Sequence, residues 1–136
     1  MFKVFMAIAT FLYRISGGRI GGRMNGGDVL LLTTTGRKSG KQRTTPLIYF
    51  MDGADYVITA SAAGAPKNPG WFFNLRDNPQ TMIQVKEKQI NVMAEVAQVE
   101  KRRQLWSRLI AALPFYASYQ EKTTREIPIV LLHPVG

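Results

Sequence analysis

Short apolar runs set in hairpin order are the strongest constraint in this sequence. Thr45–Met51 (TPLIYFM) and Tyr56–Ala60 (YVITA) lie only a few residues apart, and the Asp52-Gly53 pair between them is a turn signal. Val29–Thr34 (VLLLTT) is a buried-strand run just upstream. Pro46 is tolerable near the start of its strand. Further on, Thr81–Val85 and Ile127–Leu132 (IPIVLL) read as strands, and Lys86–Lys88 as a polar turn. In Gln89–Ala97 the residues Ile90, Val92, Ala94 and Val96 alternate with Asn91, Met93 and Glu95, the period of two that buries one face of a strand. About six strands result. Two helices interrupt them. Pro69–Asp77 (PGWFFNLRD) is short, opened by proline and stopped before Pro79. Glu100–Leu113 carries Leu105, Leu109 and Leu113 in one column, Trp106 and Ile110 in the next, and ends at Pro114. The expected fold is mainly β (α+β): a small antiparallel barrel with inserted short helices and a helix at the N-terminus.

With 136 residues the chain suits one domain, read as an N-terminal helix and glycine-rich connector over 1–27 and a barrel over 28–136. The absence of cysteine excludes disulfides, thiolate metal sites and a Cys nucleophile, and a lone His133 excludes a histidine metal cluster, so no metal is expected. His133 reads as a strand-end histidine, Trp106 as core and Lys101–Arg103 as a solvated helix face.

The net charge of +9 is concentrated early: residues 1–45 hold eight Lys or Arg against Asp28 alone. Such a field attracts phosphates, nucleic acid or an anionic membrane. In MFKVFMAIATFLYRISGG, Phe2, Phe5, Met6, Ala9, Leu12 and Tyr13 recur at helical steps. The stretch is too short to span a bilayer. A secretory leader is disfavoured by Tyr13, Arg14 and the missing A-x-A site. Two readings stay open: a helix packed on the barrel, or an interfacial helix whose Arg14, Arg19 and Arg23 meet lipid headgroups, giving peripheral membrane contact through residues 1–16. The expected location is cytoplasmic, with or without that contact. Gly17–Gly27 reads as a flexible connector.

The densest charge is in TTTGRKSGKQRTTPL, Thr33–Leu47, where Arg37, Lys38, Lys41 and Arg43 surround Gly36 and Gly40 between two strands. Glycines let successive N–H groups turn toward one anion. The arginines can grip phosphate oxygens in pairs, while Lys38 acts as a point charge. The spacing is neither a P-loop nor G-x-G-x-x-G. A solvated basic hairpin stays open on spacing alone. No aromatic lies between Arg37 and Arg43, which counts against a nucleic-acid-binding barrel.

The run Leu32–Pro79, with TTTGRKSGKQRTTPL, AS-x-x-GA-x-KNP-x-W and NL-x-x-NP in order, resembles the deazaflavin-dependent nitroreductase family, small split β-barrel proteins that use coenzyme F420. The likeness continues into PFYASYQEKTTREIPIVLL, Pro114–Leu132. It implies that Arg37, Lys38, Ser39 and Arg43 hold the cofactor's phosphate and acidic tail. Thr45, Pro46 and Leu47 would line its ring, Ala60, Ser61 and Ala62 would run along the ring edge, and Trp71 and Asn74 would complete the pocket. It also implies hydride transfer to an activated alkene, a quinone or a nitro compound, with Tyr116, Tyr119 and Ser61 as candidate proton donors beside a lipophilic substrate. The sequence departs from the family pattern at Ala62, where lysine is common, at Leu113, often tyrosine, and at Phe115, often small. The first removes one anion contact; the others make the pocket more apolar. A related barrel binding FMN, or carrying cofactor without catalysis, is the alternative. Oligomeric state is left open.

Overall fold

The computed structural model describes residues 2–135, with side chains from residue 7 onward. Phe2, Phe5 and Met6 of the N-terminal pattern therefore have side chains outside the described residues. In chain order the elements are α1 (Phe2–Ser16), β1 (Arg23–Met24), β2 (Gly27–Thr35), β3 (Gln42–Asp52), β4 (Asp55–Thr59), a single 3-10 turn (Ala62–Gly64), α2 (Gly70–Asp77), β5 (Gln80–Val85), β6 (Lys88–Val96), α3 (Val99–Ala112), α4 (Phe115–Glu121) and β7 (Ile129–Pro134). The strands run in the order β1-β2-β3-β4-β7-β6-β5, and β2 also pairs with β5. All pairs are antiparallel, so the sheet from β2 to β5 closes into a barrel with β1 attached outside it. This is the expected mainly β split-barrel architecture. The additions are β1, the 3-10 turn and α4.

Barrel closure depends on a strand that is apolar on both faces. Leu30 and Leu32 of β2 point inward, where Ile58, Ile83, Val92, Val130 and Leu132 meet them. Val29 and Leu31 point outward beneath Tyr13 of α1. Trp71, Phe72 and Leu75 of α2 belong to the inner cluster, so α2 plugs the barrel at the end where β2 stops and β3 starts. On the outer face, Leu105 of α3 packs on Val57, Ile129 and Leu131. Leu109, Leu113 and Tyr116 pack toward Ile48 and Phe50 of β3. The leucine column read from the sequence is thus the seam between α3 and the barrel. Gly53, with φ +62°, takes the first central position of the two-residue β3–β4 turn, where a positive φ favours glycine.

α1 packs on the barrel through Tyr13, whose hydroxyl accepts from the Lys86 N–H at 2.8 Å. The other side of α1 carries Ile8, Phe11 and Ile15, each more than half exposed. The glycine-rich stretch is more ordered than a flexible connector. Gly18 N–H donates to Tyr13 O at 3.0 Å, Val29 N–H donates to Gly22 O at 2.9 Å, and β1 lies within it. Glycines at positive φ at 17, 18, 21 and 26 let the chain fold back on itself there.

His133 ties three strands together. Its Nδ1 lies 2.8 Å from Asp55 Oδ1 of β4, and its Nε2 lies 2.8 Å from Glu95 Oε1 of β6. The hydrogen bonds to Glu95 and then Asp55 raise its pKa. A raised folded-state pKa contributes stability that is complete below the ordinary histidine value, about 6.5, and is lost as pH rises through the folded value. The melting temperature of the protein should therefore fall relative to His133→Gln as pH rises above about 6.5. Parallel melting curves for the two proteins would exclude this role for the histidine.

Candidate active site

The β2–β3 turn is built by its own hydrogen bonds. Gly36 N–H donates to Lys41 O at 2.7 Å, Gly40 N–H donates to Gly36 O at 2.8 Å, and Lys41 N–H donates to Ser39 Oγ at 3.2 Å. Gly40 sits at φ +72°, and a Cβ on Gly36 would lie 2.7 Å from Ser39 Oγ. Both glycines are needed for the turn's shape. α2 then holds the turn from below. Arg37 N–H donates to Asn74 Oδ1 at 3.1 Å, and Asn74 Nδ2 donates to Thr34 Oγ1 at 3.2 Å. Asn74 is buried, so these two bonds satisfy it. The Arg37 guanidinium rests 4.9 Å from the Phe73 ring centroid.

Between the turn and α2 lies a cleft of about 620 Å³, lined by Arg37, Lys38, Ser39, Arg43, Thr45, Trp71 and Asn74 among others. The structure thus brings seven of the sequence-selected residues to one cavity. Among the described residues, none of Arg37, Lys38, Lys41 and Arg43 forms an ion pair within 4.0 Å. Uncompensated cations gathered around one turn suit a phosphate or carboxylate, held chiefly by the side chains because the N–H groups of Gly36, Arg37, Gly40 and Lys41 already have partners. Trp71 serves two ends: it belongs to the inner core, and it also lines the cleft.

The other selected residues lie elsewhere. The pleat divides the ring-lining triplet: Thr45 and Leu47 pair with the inward Leu32 and Leu30, whereas Pro46 pairs with the outward Leu31. Their side chains do not share a face. β3 pairs with β4 only over Phe50–Asp52, so from Gln42 to Tyr49 the β3 edge away from β2 faces no strand among the described residues. This gap is the split of the barrel. Ala60 is fully buried, and its side chain is core.

Ser61 and Ala62 open a loop that packs against α4. Ala62 and Ala63 adopt φ +47° and +54°, followed by Gly64 at +83°. A left-handed non-glycine residue costs roughly 1–2 kcal/mol, so the loop is held against a local preference. On α4, Phe115 stacks on Tyr116 with centroids 4.6 Å apart, and Tyr119 meets both rings edge-on at 5.6 Å. Tyr116 is buried, and burial, then the neighbouring Tyr119, pushes its pKa up to about 12. Tyr119 is only half-buried. Ser61, Tyr116 and Tyr119 are not among the residues lining the basic cleft; the two tyrosines pack with Phe115 on α4, and α4 contacts the 3-10 turn that follows Ser61.

Sequence reasoning missed three participants. Phe73 and Arg76 flank the cradle, with the Arg76 guanidinium also 4.9 Å from the Phe73 centroid. The aromatic triplet of α2 was the available signal. Arg125 was passed over altogether, and it bonds to the Ala60–Asn68 loop at four points.

A closed antiparallel barrel with a basic turn and an aromatic helix at one end is a split-barrel protein whose cleft suits an anionic ligand. The model of one family, described as F420H(2)-dependent quinone reductase, matches residues 5–134. The chain belongs to that family. It is 42% identical over 125 residues to an F420H(2)-dependent quinone reductase of Mycobacterium tuberculosis, covering 89% of this chain and 84% of the relative. A solved F420-H2 dependent reductase is 39% identical with a TM-score of 0.70, over 77% of this chain and 93% of that one. A second solved structure, described as a domain-swapped dimer, is 33% identical with a TM-score of 0.74, over 93% and 94% of the two chains.

Asn74→Ala leaves the Arg37 N–H and the Thr34 hydroxyl without their partner and should cost about 1–3 kcal/mol in urea denaturation. Asn74→Asp keeps the acceptor for the Arg37 N–H, and the Thr34 hydroxyl can turn to donate to the carboxylate in place of accepting from the amide, but the change puts a negative charge beneath the cations. It should retain most of that stability while losing the rise in melting temperature that inorganic phosphate gives the unaltered protein.

Proposed function

We propose that the protein binds reduced coenzyme F420 with its charged end in the basic cleft and reduces a lipophilic quinone. The supporting observation is the set of unpaired cations, Arg37, Lys38 and Arg43, around a cavity walled by Trp71. The donor set fits an acidic cofactor: two guanidiniums, an ammonium, the Ser39 hydroxyl and a glycine turn face one opening of about 620 Å³. FMN, also phosphorylated, is the secondary choice.

When bound, reduced F420 supplies the hydride. The chain supplies position, charge and a proton. Arg37 is held in place by Phe73 on one side and by the bond from its N–H to Asn74 on the other, so its guanidinium meets a phosphate with little loss of freedom. Thr45 and Leu47 face the interior below the cleft, and the unpaired β3 edge offers backbone groups to a ring lying in the split.

A quinone that accepts hydride becomes anionic at oxygen, and a hydroxyl donor stabilises that charge as it forms. Of the two tyrosines, Tyr119 is the donor. Burial makes Tyr116 a poorer acid, and its ring, stacked on Phe115, serves as an apolar wall.

α1 suits a membrane-borne substrate. Ile8, Phe11 and Ile15 form an outward stripe at helical spacing, with Arg19 nearby. Among the described residues no helix is long and apolar enough to cross a bilayer. In this reading the stripe rests on the membrane surface. Arg14 and Arg23 are already engaged with Thr44 and Asp28.

Arg37→Ala combined with Lys38→Ala should raise the F420 dissociation constant about tenfold or more, read by cofactor fluorescence, with the melting temperature retained. Unchanged affinity would retire the cleft as the anion site. Tyr119→Phe should lower turnover about 10²-fold or more while cofactor affinity holds; equal turnover would remove the donor role. Phe11→Ser with Ile15→Ser should abolish co-sedimentation with anionic vesicles. If the double variant instead changes only the oligomeric state, the stripe is a subunit contact.

A further inference from the structure

We propose that Arg125 is a positioning residue of this site: its guanidinium clamps the Ala60–Asn68 loop into its left-handed shape and couples it to α4. The proposal rests on the reading that this loop borders the cofactor ring.

The loop lies between β4 and α2, where no strand takes its carbonyls. Arg125 takes three of them. Its Nη1 donates to Ala60 O at 3.1 Å, Nη2 to Ser61 O at 2.9 Å and Nε to Ala65 O at 3.0 Å. Nη1 also donates to Asn68 Oδ1 at 2.6 Å. One planar fork thus bonds to both ends of the segment with φ +47°, +54° and +83° at Ala62, Ala63 and Gly64. Lysine, a single point of charge, cannot reach acceptors spread over that fork. Within the loop, Gly64 N–H donates to Ser61 O and Ala65 N–H to Ala62 O, so the clamp and the turn share Ser61 O as acceptor.

Arg125 is itself fixed from α4. Gln120 Nε2 donates to Arg125 O at 2.7 Å, and Gln120 Oε1 accepts from Ile127 N–H at 3.0 Å. The loop meets the same helix directly: a Cβ on Gly64 would come within 2.7 Å of Tyr119 O. Ser61 and Tyr119 are thereby set against each other through two contacts, one at Gly64 and one through Arg125 and Gln120. A loop held in this shape before ligand arrives loses less freedom on binding.

The test compares the full-length protein with Arg125→Lys and with the milder Asn68→Ala. Amide hydrogen exchange without cofactor should speed up about tenfold or more in peptides covering 60–68 of Arg125→Lys, with the barrel strands unchanged. The F420 dissociation constant should rise about tenfold, and turnover at saturating cofactor should fall as well. Asn68→Ala should give the same pattern more weakly. In Arg125→Ala, added guanidinium should restore loop protection where ammonium does not. Unaltered loop exchange in Arg125→Lys would overturn the proposal. So would accelerated exchange spread evenly over all strands, which would make Arg125 a general stabiliser. Failure of the unaltered protein to bind F420 would unseat the cofactor reading alone, because the loop exchange is measured without ligand.

Discussion

Pairing of β2 on both edges is the constraint from which the rest of the structure follows. Leu31, Leu32 and Thr33 face β3 on one side and β5 on the other, and those few residues convert an open sheet into a barrel. A strand in that position has no solvent-facing edge and no solvent-facing side, which is why it reads as an unbroken apolar run. Its far end becomes the basic turn. Cations that repel one another are thus anchored to the most enclosed strand, and Asn74 fastens the same turn to the helix that plugs the barrel. Packing and hydrogen bonds, rather than charge balance, define the shape of the cradle.

The strands were legible because apolar periodicity and turn residues are local signals. Asp52-Gly53 marks the β3–β4 turn, and Leu105, Leu109 and Leu113 mark the α3 seam, because each depends on neighbours within a few positions. The cradle was legible for the same reason: charge and glycines fall within one short stretch. What stayed hidden depends on tertiary placement. Asn74 is named by the family likeness, but nothing in the sequence tells that its amide joins the Arg37 N–H to the Thr34 hydroxyl, 37 and 40 positions away. Pro46 was grouped with Thr45 and Leu47, although the pleat turns it to the other face. Arg125 carries no motif, since its partners are backbone carbonyls that any residue type would present. α4 was visible only as two tyrosines three apart, because Pro114 breaks the helical pattern before it.

The two clusters near the split divide the work by physical kind. The cleft is cationic and open, and its residues act through charge. The group around α4 is aromatic, and its rings act through shape and dielectric, as the weakened acidity of Tyr116 records. A cofactor with a charged tail and an uncharged ring has a place for each end.

Several acids are engaged by cations outside the cleft. Asp52, at the β3–β4 turn, draws in Lys101 and Arg108 of α3 at 2.6 and 2.8 Å, and Asp55 and Glu95 bracket His133 on neighbouring strands. Those three acids are held in pairs away from the basic turn, and Asp77 at the end of α2 lies beside Arg76. The molecule is left with an uneven electrostatic field that reaches beyond contact range and attracts anionic ligands. Capture speed then responds to ionic strength more steeply than residence time does, because the bound state is also held by the tryptophan wall and by backbone groups that dissolved ions do not screen.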